Sequence, residues 1–284
     1  MFNNIGFIGA GKVGCNLAKY FMKKGITVSG FFCNSLKSEE FVHKHLTLHT
    51  FDSMDSLLES SDLIFITTPD DEIKNVWNSL KLCNNLKNKF LAHASGSLSS
   101  DVFTDINKFG AYGFSIHPMW PFSDKHTSYI GLEDAYFSIE GFNEKISIVK
   151  DFINFLGNNS FIISKDDKYL YHLANVTVSN LVLSILNLGT NYLELCGVEE
   201  NQALNALMPL MLNNVQNIQN KGFISSLTGP IERDDIGTII HHLDAIPKEH
   251  RELYKILSLN LLKLSKEKNK KRDYSKLEKI LMEV

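Results

Sequence analysis

The feature that most constrains this chain is a short apolar run near its beginning that breaks into three closely spaced glycines. Residues 5–8 are typical of a buried strand, and residues 15–21 have the pattern of a helix. Between them, one glycine permits a tight turn, the next lets the backbone approach a pyrophosphate, and the last lets the helix pack against the strand. We therefore expect a dinucleotide site; a glycine-rich turn without a ligand is the alternative. The expected contacts are Gly9, Ala10, Gly11, Lys12, Val13 and Gly14.

The end of the second predicted strand, residues 27–32, carries the next signal. In sites that prefer NAD, an acidic residue about 20 positions beyond the glycines holds the ribose 2′-hydroxyl and repels a 2′-phosphate. This chain has no acid there and instead has Asn34, Ser35 and the nearby cation Lys37. The pattern favours NADPH over NADH, with these three residues among its contacts; an ordinary surface turn is the alternative.

The composition sets outer limits on the function. A chain of 284 residues that is 44% hydrophobic is long enough for two domains with ample cores. Its net charge of −3 argues against a nucleic-acid partner. We find no apolar run near the length of a membrane span, and the first strand leaves no room for a signal peptide, so we expect a cytoplasmic protein without a membrane partner.

The spacing of cysteines and histidines gives no sign of a metal site. The four cysteines lack the paired spacing of a zinc site or a disulfide framework. His43, His45 and His49 are close together in a polar segment, and we do not expect them to bind a metal.

The order of the predicted elements indicates the fold class. Strand and helix signals alternate as far as Ser164, as a parallel sheet covered on both faces requires. Beyond this residue the strand signals stop and long helical patterns follow. We predict an α/β protein in which residues 1–164 form an NADP-binding domain with a Rossmann-type, doubly wound parallel sheet. Residues 165–284 then form an all-α domain for substrate binding and dimerisation.

Small polar residues follow three predicted strands at the edge where ligands of open α/β sheets bind. They are Thr67, Thr68 and Pro69 after the strand that starts at residue 62, His93, Ser95 and Ser97 at the end of the strand that starts at residue 90, and His117 after residues 111–116. We expect the threonines, the proline and Ser95 to border the cofactor, and Ser97 and His117 to face the substrate. Turn and cap formation by the two threonines and structural hydrogen bonding by each histidine are the alternatives.

The helix predicted from residue 168 to 195 is apolar on nearly every face, and such a helix must be buried on all sides. His172, Asn175, Ser179 and Asn180 cluster over about two turns of it. Because buried polar groups need partners, the cluster forms either a substrate site or a satisfied hydrogen-bond network in the core. We favour the substrate site.

A rigid turn is predicted within residues 226–238, where Thr228 begins a Thr-Gly-Pro sequence that one residue separates from a Glu-Arg pair. An arginine held in a rigid turn can bind a carboxylate as a fork. The alternative is an arginine that clamps loop carbonyls or nearby acids such as Asp234, because it would show the same sequence pattern. We expect Thr228 and Arg233 at the substrate.

Several motifs together carry a resemblance that spans almost the whole chain. They are Gly9 to Gly14, Thr68-Pro69-Asp70-Asp71, His93-Ala94-Ser95-Gly96-Ser97, His117-Pro118-Met119, Tyr171-His172 through Asn180, and Leu227-Thr228-Gly229-Pro230 with Arg233 and Asp234. With these motifs the chain resembles Rossmann-like proteins that carry a C-terminal domain of unknown function, DUF2520. That grouping belongs to the superfamily of 6-phosphogluconate dehydrogenase, pyrroline-5-carboxylate reductase and ketopantoate reductase.

The resemblance also implies catalytic roles. The helix is similar to that of ordinary ketopantoate reductases at Leu173-Ala174 and Asn180, but His172 stands where those enzymes have a lysine, and Val176 replaces their first asparagine. A histidine, with an ordinary pKa of about 6.5, can replace the lysine as proton donor near neutral pH. Lys168, one turn earlier, is the other candidate donor. In this scheme Asn180 orients the substrate, and Arg233 neutralises the carboxylate of the substrate.

These implications give the function that we expect from the sequence. It is NADPH-dependent reduction of a small 2-keto acid, most specifically 2-dehydropantoate (ketopantoate) to pantoate in pantothenate biosynthesis. The alternatives are an oxidoreductase of an imine such as pyrroline-5-carboxylate or of a 3-hydroxy acid, and a non-catalytic NADPH-binding regulator. Apolar faces beyond the needs of one core also predict a homodimer that forms through residues 166–195.

Overall fold

The computed structural model describes residues 2–283, and the chain divides into two compact units, Met1–Val182 and Leu183–Val284. The strands of the first unit are β1 Asn4–Ile8, β2 Thr27–Phe32, β3 Leu63–Ile66, β4 Phe90–His93, β5 Tyr112–Pro118, β6 Phe137–Gly141 and β7 Ser160–Ile162. They form one sheet in the order β2-β1-β3-β4-β5-β6-β7.

The first five strands in this order are parallel, β6 runs antiparallel to β5, and β7 runs parallel to β6. In the register of the sheet, Ile8 is level with Ile66, and Ile66 is level with His93. The carboxyl ends of β1, β3 and β4 therefore meet at one edge of the sheet, where ligands of open α/β sheets bind.

Helices cover both faces of this sheet. They are α1 Lys12–Lys23, α2 Leu36–His45, α3 Met54–Glu59, α4 Asp70–Leu80 and α5 Ile146–Phe155. On β3, Leu63 and Phe65 belong to one buried apolar cluster, while Ile64 and Ile66 belong to another. Because successive side chains of a strand point to opposite faces, the sheet is buried on both sides, as its alternation with helices predicts.

The long helix α6, Lys168–Leu195, contains the division between the two units. We expected a helix buried on all sides, but in the single chain Tyr169 and Val178 are 76% and 74% exposed. The segment Lys165–Leu195 is also long and apolar enough to cross a membrane by length and composition, so the expectation that no such run exists is wrong. Polar residues such as Asn175 and Ser179 interrupt the segment, so the sequence shows no continuous apolar run although the mean hydropathy is high.

The second unit continues with helices. They are α7 Glu200–Ser226, which has a break at Gly222, α8 Pro230–Arg233, α9 Ile236–Ala245, α10 Arg251–Lys268 and α11 Ser275–Met282. Helix α10 packs against α7, α8 and α11, and a small buried cluster forms around Ile239, Leu262 and Leu277. No strand follows Ile162 among the residues that the structure describes. The predicted fold class, a Rossmann-type α/β part followed by an all-α part, is confirmed.

Candidate functional site

A glycine turn joins β1 to α1. Gly9 has a φ of +96°, and its amide donates a hydrogen bond to Phe32 O at 3.0 Å. A Cβ added at Gly14 would overlap Thr67 Oγ1, whereas a Cβ at Gly11 would meet nothing closer than 3.5 Å. Gly9 is thus required for its backbone angle and Gly14 for packing, while Gly11 leaves open space in front of the helix.

A cleft of about 320 Å³ opens beside this turn at the ends of the first three strands. It contains eight of the predicted cofactor contacts, namely Gly9, Ala10, Gly11, Asn34, Ser35, Thr67, Thr68 and Pro69. Sequence reasoning missed three polar residues that also line it: Ser38, Glu72 and Lys125. The serine pair of the α2 N-cap, in which Ser35 Oγ accepts from Ser38 N, is a local signal that could have found Ser38. No local signal marks Lys125, because it comes from the distant loop between β5 and β6.

The other predicted cofactor contacts lie outside the lining of the cleft; they are Lys12, Val13, Gly14, Lys37 and Ser95. Lys12 and Val13 begin α1, and Lys37 is exposed near the start of α2. Ser95 belongs to a second group of residues at the ends of β4 and β5.

The residues of the cleft fit a dinucleotide. Thr68 Oγ1 is buried and has no hydrogen-bond partner among residues 2–283. Helix α1 starts at the open space beside Gly11 and carries no acid in its first turn. Free amides at a helix start and an unpaired hydroxyl are suitable donors for the oxygens of a pyrophosphate.

The second group is held together by a buried lysine. Lys168 is 1% exposed, and its Nζ donates to Ser115 Oγ at 2.7 Å and to Ser95 O at 3.2 Å. Burial lowers the pKa of Lys168 to about 8, against the opposing effect of the carboxylates of Glu140 and Asp70. The ammonium therefore ties the loop after β4 to the adjacent strand β5.

Two histidines flank this loop. His117 Nδ1 lies 2.6 Å from the hydroxyl of Tyr171, and burial lowers the pKa of His117 to about 3, so the ring is neutral. A Cβ added at Gly96 would lie 2.9 Å from His172 Cδ2 and 3.1 Å from His117 Nε2. The structure thus brings together His117, His172 and Lys168. It adds Tyr171, for which the sequence predicted no role.

The serines of the loop have hydrogen-bond partners within the first unit. The hydroxyls of Ser95 and Ser97 donate to Asp70 Oδ2 at 2.6 Å and 3.0 Å, and Ser95 Oγ accepts from the amides of Ser97 and Leu98. These contacts order the loop against the start of α4.

His93 has the contacts of a structural histidine. It is fully buried, its Nε2 lies 3.2 Å from Ser99 O, and its Nδ1 accepts from Ser95 N at 3.3 Å. Burial lowers its pKa to about 4. A neutral ring with one donor and one acceptor position satisfies both bonds.

The polar side chains further along α6 bond within the helix. Asn175 donates to Tyr171 O, and Ser179 donates to Asn175 O, which is the usual local pattern for such residues in a helix. Asn180 is exposed, and its Oδ1 lies 3.1 Å from Ser179 Oγ. It lies about 12 Å along the helix axis from His172, given the rise per residue.

The remaining predicted substrate contacts belong to the second unit. Thr228 lines a groove there, beside Phe223 and Leu261. Arg233 Nη2 is 3.9 Å from Asp235 Oδ2, and the arginine side chain is 60% exposed. Asp235 in turn caps α9 through the amide of Thr238. The guanidinium is thus oriented by one acid without being enclosed by it.

Two family profiles match the chain in succession. The Rossmann-like domain matches residues 2–118, and the Domain of unknown function (DUF2520) matches residues 135–261. The chain combines a Rossmann-like domain with a DUF2520 domain. The family resemblance expected from the sequence is confirmed.

Solved structures with this combination of elements match over almost the whole chain. A protein from Thermotoga maritima is 25% identical with a TM-score of 0.68, covering 94% of this chain and 98% of that one. Pyrroline carboxylate reductase from Plasmodium falciparum, solved with NADP bound, is 16% identical with a TM-score of 0.62, covering 94% and 97%. An imine reductase from Myxococcus stipitatus, in complex with NADP⁺, is 18% identical with a TM-score of 0.61, covering 94% of each chain. No curated protein matches the sequence.

Proposed function

We propose that this protein is an NADPH-dependent reductase of a small 2-keto acid, with 2-dehydropantoate as the substrate and pantoate as the product. The observation that carries the proposal is that one unit contains both the cleft at the glycine turn and, at neighbouring strand ends, the group formed by Lys168, His117 and His172. Similar folds include NADP-bound reductases, which supports the choice of cofactor.

The residues of the cleft have separate tasks in this proposal. The backbone around Gly9 to Gly11 and the hydroxyl of Thr68 hold the pyrophosphate, while Asn34 and Ser35 stand at the adenine ribose. The bound cofactor supplies a hydride to the keto carbon. In this arrangement the group formed by Lys168, His117 and His172 faces the substrate oxygen.

We assign the proton transfer to His172. Its ring lies beside the Gly96 backbone and is half-buried, and an imidazolium can protonate an oxygen that gains charge as the hydride arrives. Lys168, the other candidate, has its Nζ buried against Ser95 O and Ser115 Oγ, so we give it the role of positioning the loop. The ring of His117 is oriented by Tyr171.

The remaining substrate contacts in this proposal are the residues that the sequence predicts. The exposed guanidinium of Arg233 is available to pair with the carboxylate of a keto acid. Thr228, Asn180 and Ser97 remain proposed contacts for the substrate hydroxyl and carboxylate.

We further propose that the protein is a cytoplasmic homodimer that pairs through residues 166–195. Leu173, Val178 and Leu181 of this region are 54%, 74% and 49% exposed in the single chain. Exposed apolar surface of this extent is typical of an interface between copies. A second copy covers it without requiring a membrane.

The test is NADPH oxidation by the purified protein, with ketopantoate, pyrroline-5-carboxylate and no substrate compared side by side, and NADP⁺ reduction with a 3-hydroxy acid. We expect rapid, ketopantoate-dependent oxidation and little reaction with NADH. His172→Ala should lower turnover by about 10²- to 10⁴-fold, as the loss of a general acid does, with NADPH binding unchanged. Tyr169→Phe, on the same helix turn but 76% exposed, is the matched control and should keep full activity.

Imine reduction is the second candidate, because pyrroline carboxylate reductase and imine reductase share the fold. Oxidation with pyrroline-5-carboxylate but not with ketopantoate would replace our substrate with the imine. Tight NADPH binding without turnover of any substrate would instead indicate a regulator that senses the nucleotide.

A further inference from the structure

The loop between β5 and β6 brings a cation to the cleft at the glycine turn. Lys125 lines this cleft together with Asn34, Ser35 and Ser38. Its ammonium lies over the Phe41 ring of α2, 4.9 Å from the ring centroid. Across the described part of the chain, no carboxylate forms an ion pair with it. A half-buried, unpaired cation next to hydroxyls and an amide is suited to binding an anion.

The loop that carries this lysine is ordered by its own hydrogen bonds. The Asp124 carboxylate accepts from Thr127 N at 2.7 Å and from Thr127 Oγ1 at 2.8 Å, and these bonds hold the pKa of Asp124 well below its ordinary value. From α1, Asn16 Nδ2 donates to Asp124 O at 2.6 Å, and Lys19 Nζ donates to Lys125 O at 3.2 Å. The backbone of Lys125 is therefore fixed to the helix that follows the glycine turn.

We propose that Lys125 binds the 2′-phosphate of NADPH and sets the preference for NADPH over NADH. This inference rests on the proposed function, because it takes NADPH as the cofactor. With the pyrophosphate at the glycine turn, the adenine ribose reaches the end of β2, where Ser35 and Ser38 present hydroxyls. The acid that lines the cleft, Glu72, belongs to α4 and not to this turn.

The assignment differs from the one that the sequence suggests. Lys37 follows β2 directly, but it is exposed on α2 and does not line the cleft. Lys125 reaches the same end of the cleft from a loop that is remote in sequence. Its ammonium lies over the ring of Phe41, on the helix that Ser35 caps.

The experiment is a fluorescence titration of the full chain and its variants with NADPH, NADH, 2′-phospho-AMP and 5′-AMP. Lys125→Met should weaken NADPH and 2′-phospho-AMP by about 10- to 100-fold, the range expected for one hydrogen bond to a charged group. NADH and 5′-AMP should change by less than about twofold, because they lack the phosphate. Lys125→Arg should retain the preference for NADPH. Lys44→Met removes an exposed charge from α2, the helix that carries Phe41; it is the matched control and should change none of the four affinities.

Several outcomes would overturn the inference. Equal losses of NADPH and NADH in Lys125→Met would place the lysine at the pyrophosphate, and a selective loss in Lys37→Met alone would return the role to Lys37. If the unmodified protein binds neither dinucleotide, the proposed function fails together with the inference. If it binds both equally before and after the substitution, only the inference fails. Thermal melting of each variant without ligand separates these results from a loss of folding.

Discussion

The sheet with the helices that cover it and the helical region from α6 onward bury their apolar side chains to very different extents. Phe7, Phe65 and Trp77 of the first unit are completely buried in two clusters that cover both faces of the sheet. In the second unit, Leu183 and Leu210 are 65% and 62% exposed. The sheet unit has a complete core, whereas the helices retain apolar surface that a single chain does not cover.

This difference separates two kinds of site. The cleft and the group around Lys168 lie within the first unit and are built from ordered contacts. Arg233 and Thr228 stand in the unit whose surface is incomplete in a single chain. We therefore expect the first unit to bind nucleotide through its own residues and the helices to depend on a second copy.

The largest expected effect tests the completeness of the sheet unit. Gly14→Val should lower the free energy of unfolding by about 3 kcal/mol, because its side chain overlaps Thr67 Oγ1 and overpacks a closed core. Gly11→Ala is the contrasting variant: it has space for the methyl group, so the ligand-free melting temperature should hold while NADPH affinity falls. Urea unfolding and nucleotide titration measure the two effects. Equal stability of the two variants would contradict the account.

The next effect tests whether a second copy covers the helices. Val178→Asp should convert the proposed dimer into a monomer of 32.1 kDa, because it places a charge in the apolar region of α6. Leu82→Asp, at an 86% exposed position of the first unit, is the control and should remain dimeric. Light scattering without detergent reads the mass. A monomeric unmodified protein, or one that needs detergent or vesicles to stay dispersed, would reject the dimer and turn attention to the membrane-length segment.

An effect of comparable size, but confined to alkaline pH, is expected in the dependence of stability on pH. The folded pKa of Lys168 is about 8, below its ordinary 10.5, so the unfolded chain binds more protons between these values. Stability from this group therefore rises with pH across that window, by up to about 3 kcal/mol, and is constant below it. Lys168→Met should remove this rise. The comparison of urea unfolding curves for the two proteins from pH 7 to pH 10 measures it, and parallel profiles would show that the buried ammonium is not coupled to folding.

The smallest effect concerns the orientation of His117. Tyr171→Phe deletes the hydroxyl that lies 2.6 Å from the ring, and we expect kcat to fall by about tenfold, the value of one positioning hydrogen bond, with KM unchanged. The exposed neighbour Tyr169→Phe should behave like the unmodified protein. A fall in KM alone, or no change, would remove Tyr171 from the site.

The features that sequence could predict are those with local causes. Glycine spacing and alternating strand and helix signals are read within a few residues, so the turn at Gly9, the sheet and most of the cleft lining were predicted. Contacts between distant segments were not, since nothing near residue 125 indicates that Lys125 meets the end of β2. The binding of Ser95 and Ser97 to Asp70 was missed for the same reason.

The helix α6 shows a different limit. Its periodicity correctly indicates apolar surface on most sides, but periodicity carries no information about what covers that surface. We inferred burial, and the single chain leaves Tyr169 and Val178 exposed. Whether a helix of this composition lies in a core, an interface or a membrane depends on partners outside the chain.

The most direct test of the central claim follows the hydride itself. The purified protein is incubated with ketopantoate and NADPH that carries deuterium at both C4 positions of the nicotinamide, and the pantoate formed is examined by mass spectrometry. The account predicts pantoate with deuterium at C2, and loss of the label transfer in His172→Ala while NADPH still binds. No labelled pantoate from a protein that binds NADPH tightly would contradict the assignment of this substrate and this reaction.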